Sequence, residues 1–365
     1  MKVSLARTEL ADALFIINRG LSSRTTLPIL SGVLLTAKGD DLVLNSTDLD
    51  VSVKTGVKAR VDEAGSTVVP GRLFGDIIRS LPEGAVSVET EGTSVRVVSG
   101  TSSFTLKTLS PDEFPRFPEV DSENEVTLEV GLFTTMVQKV ARAVSKDETR
   151  PVLTGALVEV SDGNVTMVST DSYRLCLAEA SGQNESRQFS AVIPGRALDD
   201  VSKLVAGSEG VTIASAQNQI VFVFGGTTFV TRRIEGVFPN YKQLLPSEYE
   251  TRVTVNKEEM LSAVRRVSLM AQHSAPVRVT VSPEERTLVL SAQTHDVGDA
   301  TEVVEADVEG QPVEMAFNHA YLTDGITGAD SEKITLDIVS PMKPGVIRAG
   351  EDISYTYLLM PVRLG

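Results

Sequence analysis

The stretch RPVLTGALVEVSDGNVTMVSTDSYRL, residues 150–175, restates LPILSGVLLTAKGDDLVLNSTDLD, residues 27–50. Pro28, Leu30 and Gly32 correspond to Pro151, Leu153 and Gly155, and Ser46-Thr47-Asp48 to Ser169-Thr170-Asp171, all at one offset without a gap. A fainter copy follows at residues 276–293, PVRVTVSPEERTLVLSAQ. Each copy joins two apolar runs through a short polar turn, the pattern of a β-hairpin.

Working outward, a helix precedes each hairpin. Leu10, Leu14, Ile17 and Leu21 share one face of a helix over residues 8–21, with Arg19 on the other side. Strands are predicted around Ile29–Ala37 and Leu42–Thr47, and Pro70-Gly71-Arg72 opens a second helix that ends before Pro82-Glu83-Gly84. Alternating strands then run from Val86 to Thr108, and Pro111, Pro115 and Pro118 close the unit. A second unit begins with a helix over Leu132–Lys146, whose apolar residues Phe133, Val137, Val140 and Val144 oppose Lys139, Arg142 and Lys146. Pro194-Gly195-Arg196 and Phe238-Pro239 repeat Pro70-Gly71-Arg72 and Phe114-Pro115 at a common offset. In the third unit Asn256 is placed to cap a helix carrying Arg265 and Arg266, with Glu259 at the capping-box position and Val255 and Met260 as a staple. A helix around residues 320–328 and a strand over Tyr355–Leu364 complete it. The expectation is an α+β chain of three repeated domains, 1–123, 124–249 and 250–365, each made of two helix-plus-strand halves.

With 365 residues and 41% hydrophobic content, the chain is large enough for several cores and ordinary for a soluble globular protein. No apolar run reaches the roughly eighteen residues of a membrane helix, MKVSLARTEL has no signal-peptide pattern, and a single Cys176 excludes an internal disulfide framework. A cytoplasmic protein without membrane contact is expected. A net charge of −15 argues against a polyanion partner unless the cations are segregated. They are patterned: Arg72, Asp76 and Arg79 match Arg196, Asp200 and Lys203, two cations seven residues apart with an acid between them. One helix of this kind reads as a solvated face with a local ion pair. Recurrence on several helices reads as a positive surface suited to phosphates.

Catalysis has little support. His273, His295 and His319 are scattered, there is no glycine-rich phosphate loop, and Cys176 lacks a metal-spaced neighbour, so no metal or cofactor is expected. The Thr-Asp pairs at strand ends read as turn residues, and an enzymatic reading would need turnover dependent on Asp48 or Asp171. Cys176 reads as a small buried hydrophobe. The terminal Tyr357-Leu358-Leu359-Met360-Pro361-Val362-Arg363-Leu364 reads either as an edge strand or as part of an apolar groove for a peptide.

Over its whole length the sequence resembles the bacterial sliding clamps, the beta subunits of DNA polymerase III. The resemblance is carried by Arg24 with Thr26 to Leu30, Thr47-Asp48-Leu49, Leu81 to Gly84, Thr170-Asp171 with Arg174-Leu175, Phe238-Pro239 with Tyr241, and Met360-Pro361 with Arg363-Leu364. It implies a head-to-tail homodimeric ring of three-domain chains, helices inside and antiparallel sheets outside, that confers processivity without catalysing a reaction. Twelve inner helices roughly 9–10 Å apart define a circle of about 35 Å through their axes, and subtracting about 10 Å for one helix leaves room for hydrated duplex DNA. Contacts to phosphates alone would let such a ring slide without sequence preference.

The resemblance implies DNA-facing roles for Arg24, Arg72, Arg79, Lys146 and Arg196. The helix faces add Lys139, Arg142 and Lys203. It implies a pocket for short apolar and aromatic motifs of the polymerase alpha subunit, the clamp loader and other clients, formed by Leu153, Thr170, Tyr173, Arg174, Leu175, Pro239, Leu244, Val346, Leu358, Met360, Pro361 and Val362. Here Ser172 and Tyr173 stand where the family commonly has Gly and His. At the ring seam, Phe104 and Leu106 are expected to meet Leu269 and Met270, with Lys107 against Glu302. The third unit keeps Asp324 but has Ala320 and Thr327 in place of flanking cations, so its second helix is expected to add little to DNA binding. The alternative is a three-domain peptide-binding scaffold that does not encircle DNA.

Overall fold

The computed structural model describes residues 1–22, 25–118, 124–161, 163–181, 188–271, 275–295, 297–350 and 353–363. Among these residues lie six short α-helices: α1 (Arg7–Ile17), α2 (Gly71–Ser80), α3 (Val130–Val140), α4 (Gly195–Leu204), α5 (Lys257–Val267) and α6 (His319–Thr327). Helices of this length are marginal alone and depend on packing. Each buries one apolar face, for example Leu10, Leu14 and Ile17 on α1 and Phe74, Ile77 and Ile78 on α2. The predicted α5 cap is present, Asn256 Oδ1 accepting from the backbone N–H groups of Glu258 (3.0 Å) and Glu259 (3.1 Å).

Several boundaries differ from the sequence reading, among them the strand expected over Tyr355–Leu364, which spans Ser354–Leu359. Residues expected to extend α1 and α3 tighten into 3₁₀ turns, Asn18–Gly20 and Ala141–Ala143. Lys146 therefore lies beyond the helix. The strand expected from Ile29 begins at Gly32, because Pro28–Ser31 forms a 3₁₀ turn, and Pro151–Leu153 repeats that turn before Gly155.

The strands pair antiparallel in four sheets, and the chain divides into two compact units. Residues 1–130 and 200–233 form one. It holds a five-stranded sheet ordered Arg60–Glu63, Lys2–Ala6, Ala85–Glu91, Ser94–Ser99, Ser102–Lys107. Its eight-stranded sheet runs Asn124–Glu129, Gly210–Ala216, Gln219–Phe224, Thr227–Arg232, Val51–Lys58, Asp41–Thr47, Gly32–Lys38, Gly65–Pro70. Residues 131–199 and 234–365 form the other unit. Its nine-stranded sheet runs Phe189–Pro194, Gly155–Ser161, Asn164–Thr170, Arg174–Ser181, Ser354–Leu359, Gly345–Ala349, Lys333–Ile338, Thr251–Asn256, Asp307–Gly310. Gly298–Glu305, Thr287–Thr294, Val277–Ser282 and Val313–Phe317 make its four-stranded sheet.

The sequence repeat is a repeat of register. Leu34 pairs with Asn45 and Leu35 with Leu44 in the first copy, and Leu157 with Val168 and Val158 with Met167 at equivalent positions of the second. Its serines do equivalent work: Ser46 Oγ donates to the carbonyl of Ile17 (2.6 Å) and Ser169 Oγ to that of Val140 (2.5 Å). Each hydroxyl thus bonds a carbonyl at the end of an α-helix and ties that helix to its hairpin.

Gly155 marks a close approach, since a Cβ there would lie 2.5 Å from the Ile193 carbonyl oxygen. Gly155→Ala is expected to destabilise by about 1–3 kcal/mol through overpacking. Gly56→Ala, where a Cβ meets nothing within 4 Å, is expected to change stability by less than about 1 kcal/mol. Urea denaturation of the two variants measures the contrast.

Candidate functional site

The turn at residues 169–174 is built by its own side chains. Asp171 Oδ1 accepts from the N–H groups of Tyr173 (2.9 Å) and Arg174 (3.1 Å). Thr170 Oγ1 accepts from Ser172 N–H (3.1 Å) and donates to the Arg174 carbonyl (2.7 Å). The first copy repeats this with Asp48 on Asp50 and Val51 (3.0 and 2.7 Å) and Thr47 on Leu49 and Val51 (3.0 Å each). Both acids are turn residues, as their positions suggest. Leu49 and Ser172 occupy the left-handed region at φ 80° and 82°, a conformation glycine adopts more readily.

From there the copies diverge, Asp50-Val51-Ser52 becoming Tyr173-Arg174-Leu175. Arg174 is largely buried: Nε donates to Asp171 Oδ2 (3.0 Å), and Nη1 to Asp324 Oδ2 (2.5 Å) and Tyr357 OH (3.2 Å). Its guanidinium lies 4.2 Å from the Tyr321 ring centroid, and Tyr321 stacks on Tyr173 at 6.5 Å. Burial opposes the charge on Arg174, yet Tyr357, Asp324 and Asp171 together raise its pKa above the ordinary value. Burial, and to a lesser degree the Arg174 charge acting oppositely, leaves the Tyr357 phenol raised.

The strand after the turn pairs with Ser354–Leu359, opposing Leu175 to Leu358, while Leu358 opposes Val346 on the next strand. These three join Leu157, Val168, Leu177, Val192, Phe238 and Tyr241 in one apolar cluster, against which Val152, Ile234 and Leu245 pack. Tyr241 OH donates to Glu159 Oε2 (2.7 Å), and burial followed by this bond raises its pKa.

Of the expected pocket residues, Leu175, Val346 and Leu358 therefore meet directly. Leu153 and Thr170 are buried, Thr170 with its hydroxyl committed to the turn. Pro239 and Leu244 are exposed on the segment that sends Phe238 and Tyr241 into the cluster. Tyr173 and Met360 are exposed, 62% and 42%, and the Met360 N–H donates to the Tyr173 carbonyl (3.0 Å). Val362 is pinned through its N–H to the Ala316 carbonyl (2.7 Å), and Pro361 is half-buried. Val152, Leu177, Tyr241 and Leu245 escaped the sequence reading. The alternation of Leu175 with Leu177 and the three-residue step from Phe238 to Tyr241 were the available signals.

Among the expected cations, Arg72 and Arg79 on α2 and Arg196 and Lys203 on α4 are exposed, as is Lys146. Asp76 pairs with Arg79, whereas Asp200 is held by Arg19 (3.2 Å). Arg24 lies outside the described residues. Lys139 corrects the expected basic face of α3. It is 3% exposed, donates to the Gly328 carbonyl (2.8 Å), pairs with Asp330 (3.1 Å) and sits 4.8 Å from the Tyr355 ring centroid. A carboxylate and a carbonyl from a remote segment replace its water. Arg142 is partly withdrawn, 3.8 Å from Asp324. Cys176 is buried, its thiol pushed up to about 12 chiefly by desolvation.

Phe104, Leu106 and Lys107 lie on Ser102–Lys107, an edge strand of the five-stranded sheet, with Phe104 half-buried, Leu106 buried and Lys107 exposed. Leu269 is 70% exposed and Met270 half-buried in the turn after α5, and Glu302 lies on the edge strand Gly298–Glu305. Glu302, the expected partner of Lys107, also has a partner within its own chain. Both Glu302 oxygens already accept from Arg266 (2.7 and 2.9 Å), and that hydrogen bonding lowers the Glu302 pKa.

Family models for the DNA polymerase III beta subunit match in chain order: the N-terminal domain over residues 1–118, the central domain over 127–240 and the C-terminal domain over 242–363. The beta sliding clamp of Streptomyces coelicolor is 36% identical with both chains fully covered, and that of Staphylococcus epidermidis 33% with 94% of each covered. The DNA polymerase sliding clamp of Bacillus subtilis superposes with a TM-score of 0.95 at 28% identity, and the DNA polymerase beta subunit of Streptococcus pyogenes with 0.95 at 27%, all chains fully covered. Three clamp domains of short helices and antiparallel sheets define the class, a non-catalytic DNA clamp. The chain belongs to the DNA polymerase III beta subunit family, the beta sliding clamps.

The two turns give a paired measurement. Asp48→Ala is expected to cost about 1 kcal/mol for lost turn hydrogen bonds. Asp171→Ala also removes one of the two carboxylates that hold the largely buried Arg174 and is expected to cost about 2–4 kcal/mol. Urea denaturation midpoints compare them.

Proposed function

We propose that this protein is a processivity clamp: a cytoplasmic homodimer that closes head to tail around duplex DNA and tethers the replicative polymerase and other clients through short peptide motifs. The observation that carries the reading is the apolar cluster at the junction of Arg174–Ser181 and Ser354–Leu359, with exposed Tyr173 and Met360 at the ends of the two paired strands. An extended segment with apolar and aromatic side chains suits such a cluster. Domains at 1–123, 124–249 and 250–365 are supported by the spans of the three family models. Each large sheet combines strands from successive repeats, so division by contacts alone does not follow those boundaries.

The exposed cations Arg72, Arg79, Arg196 and Lys203, with Lys146 and Arg24, are assigned to phosphate contacts, and Arg142 to a secondary one. Lys139 is withdrawn from this set. Sequence-independent contacts of this kind are weak and salt-sensitive, so enclosure supplies residence time. Phe104 and Leu106 are assigned to the seam with Leu269 and Met270, and Lys107 remains available there for another acid.

Retention on closed circular DNA is expected to vanish when the circle is linearised, as measured by gel filtration of the complex; equal retention on both forms overturns encirclement. A joint Arg24→Glu, Arg72→Glu and Arg196→Glu change is expected to abolish loading on DNA while leaving peptide affinity unchanged, whereas a pure scaffold loses nothing. Met360→Ala is expected to weaken binding of a peptide from the C-terminus of the polymerase alpha subunit by about tenfold, read by fluorescence anisotropy.

A further inference from the structure

We propose that Asp324, on the side of α6 facing Arg174, is a positioning residue of the client pocket: it fixes the Arg174 guanidinium and thereby the Tyr321–Tyr173 aromatic wall. The inference rests on the pocket reading above and names a residue outside the pocket lining.

The geometry assigns Asp324 this role by elimination of other anchors. Asp171 spends Oδ1 on two backbone N–H groups of the turn, so only its Oδ2 reaches Arg174, at Nε. The far end of the guanidinium is held by Asp324 Oδ2 and by the Tyr357 hydroxyl, which itself donates to the Tyr321 carbonyl (3.1 Å). The other nearby carboxylate of this region, Asp330, is committed to Lys139. Asp324 Oδ1 also faces Arg142 at 3.8 Å, so two guanidinium groups and two carboxylates balance.

Removing the Asp324 charge leaves Arg142 and Arg174 facing one another with Asp171 as their remaining acid. Repulsion and the lost charge-assisted bond then draw Arg174 off the Tyr321 ring, from which it now lies 4.2 Å. Tyr321 is the surface on which Tyr173 stacks, so the exposed ring beside Met360 loses its support. This also accounts for an acid at position 324 on a helix whose sequence, HAYLTDGIT, has lost the flanking cations of the repeat. The partner retained by that acid is the pocket strand.

The test uses the full-length protein and a fluorescent peptide from the C-terminus of the polymerase alpha subunit. Asp324→Asn is expected to raise Kd about tenfold, the loss of one charge-assisted bond. Asp324→Glu, which keeps the charge one methylene away, is expected to give an intermediate Kd. Asp330→Asn, which breaks the neighbouring Lys139 pair, is expected to leave Kd within about twofold of the parent. In an Arg174→Gln background, Asp324→Asn is expected to add less than about twofold, because residues acting through one another are not additive. Parental Kd in both Asp324 variants overturns the inference, as does a full tenfold loss on top of Arg174→Gln. Failure of the unaltered protein to bind the peptide overturns the pocket reading itself, and this inference with it.

Discussion

The antiparallel pairing of Arg174–Ser181 with Ser354–Leu359 is the constraint on which the second unit depends. Side chains on paired strands alternate between faces, so a shift of one residue would exchange them. In the observed register Leu175, Leu358 and Val346 form one row facing the apolar cluster, while Cys176, Tyr357 and Ile347 form the next row on the opposite face. On that opposite face Cys176 donates to the Lys139 carbonyl and Tyr357 to Tyr321, which fastens the sheet to α3 and α6. One ladder of backbone hydrogen bonds thus fixes both the apolar cluster and the helices on the other face of the sheet.

The two closest repeats show how a single turn can serve different ends. Thr47-Asp48 and Thr170-Asp171 satisfy their backbones in the same way, and both turns hold a non-glycine residue in the left-handed region. Fold is the shared part. The first copy follows its turn with Asp50, Val51 and Ser52 and pairs onward with Thr227–Arg232. In the second, Arg174 and Leu175 turn a connecting strand into a wall with a charged edge and an apolar interior.

Much of this was legible in the sequence because it depends on local rules. The constant offset between copies anticipated the common register, Asn256 the cap of α5, and Pro70-Gly71 and Pro194-Gly195 the starts of α2 and α4. The failures arose where a distant segment decided the outcome. Helical periodicity placed Lys139 opposite the core of α3, but Asp330 and Gly328 turn that side into an interior. Glu302 likewise gains an intrachain partner, Arg266 on α5, that the sequence pattern did not indicate. Asp324 showed in the sequence only as the acid kept by the repeat, because its partners, Arg142 and Arg174, are far away in the chain.

The nine-stranded sheet also imposes an order on synthesis. Its strands Gly155–Ser161, Asn164–Thr170 and Arg174–Ser181 emerge from a ribosome early, yet the neighbour of the last of them is Ser354–Leu359. Until that segment is translated, Arg174–Ser181 presents an unpaired edge bearing Leu175, Cys176 and Leu177, and such an edge invites pairing with another nascent chain. The eight-stranded sheet waits about as long, because Val51–Lys58 pairs with Thr227–Arg232, but that pairing is complete while the rest of the chain is still to be made. The first compact unit can therefore close during elongation, while the second stays dependent on shielding of that edge until Ser354–Leu359 pairs with it.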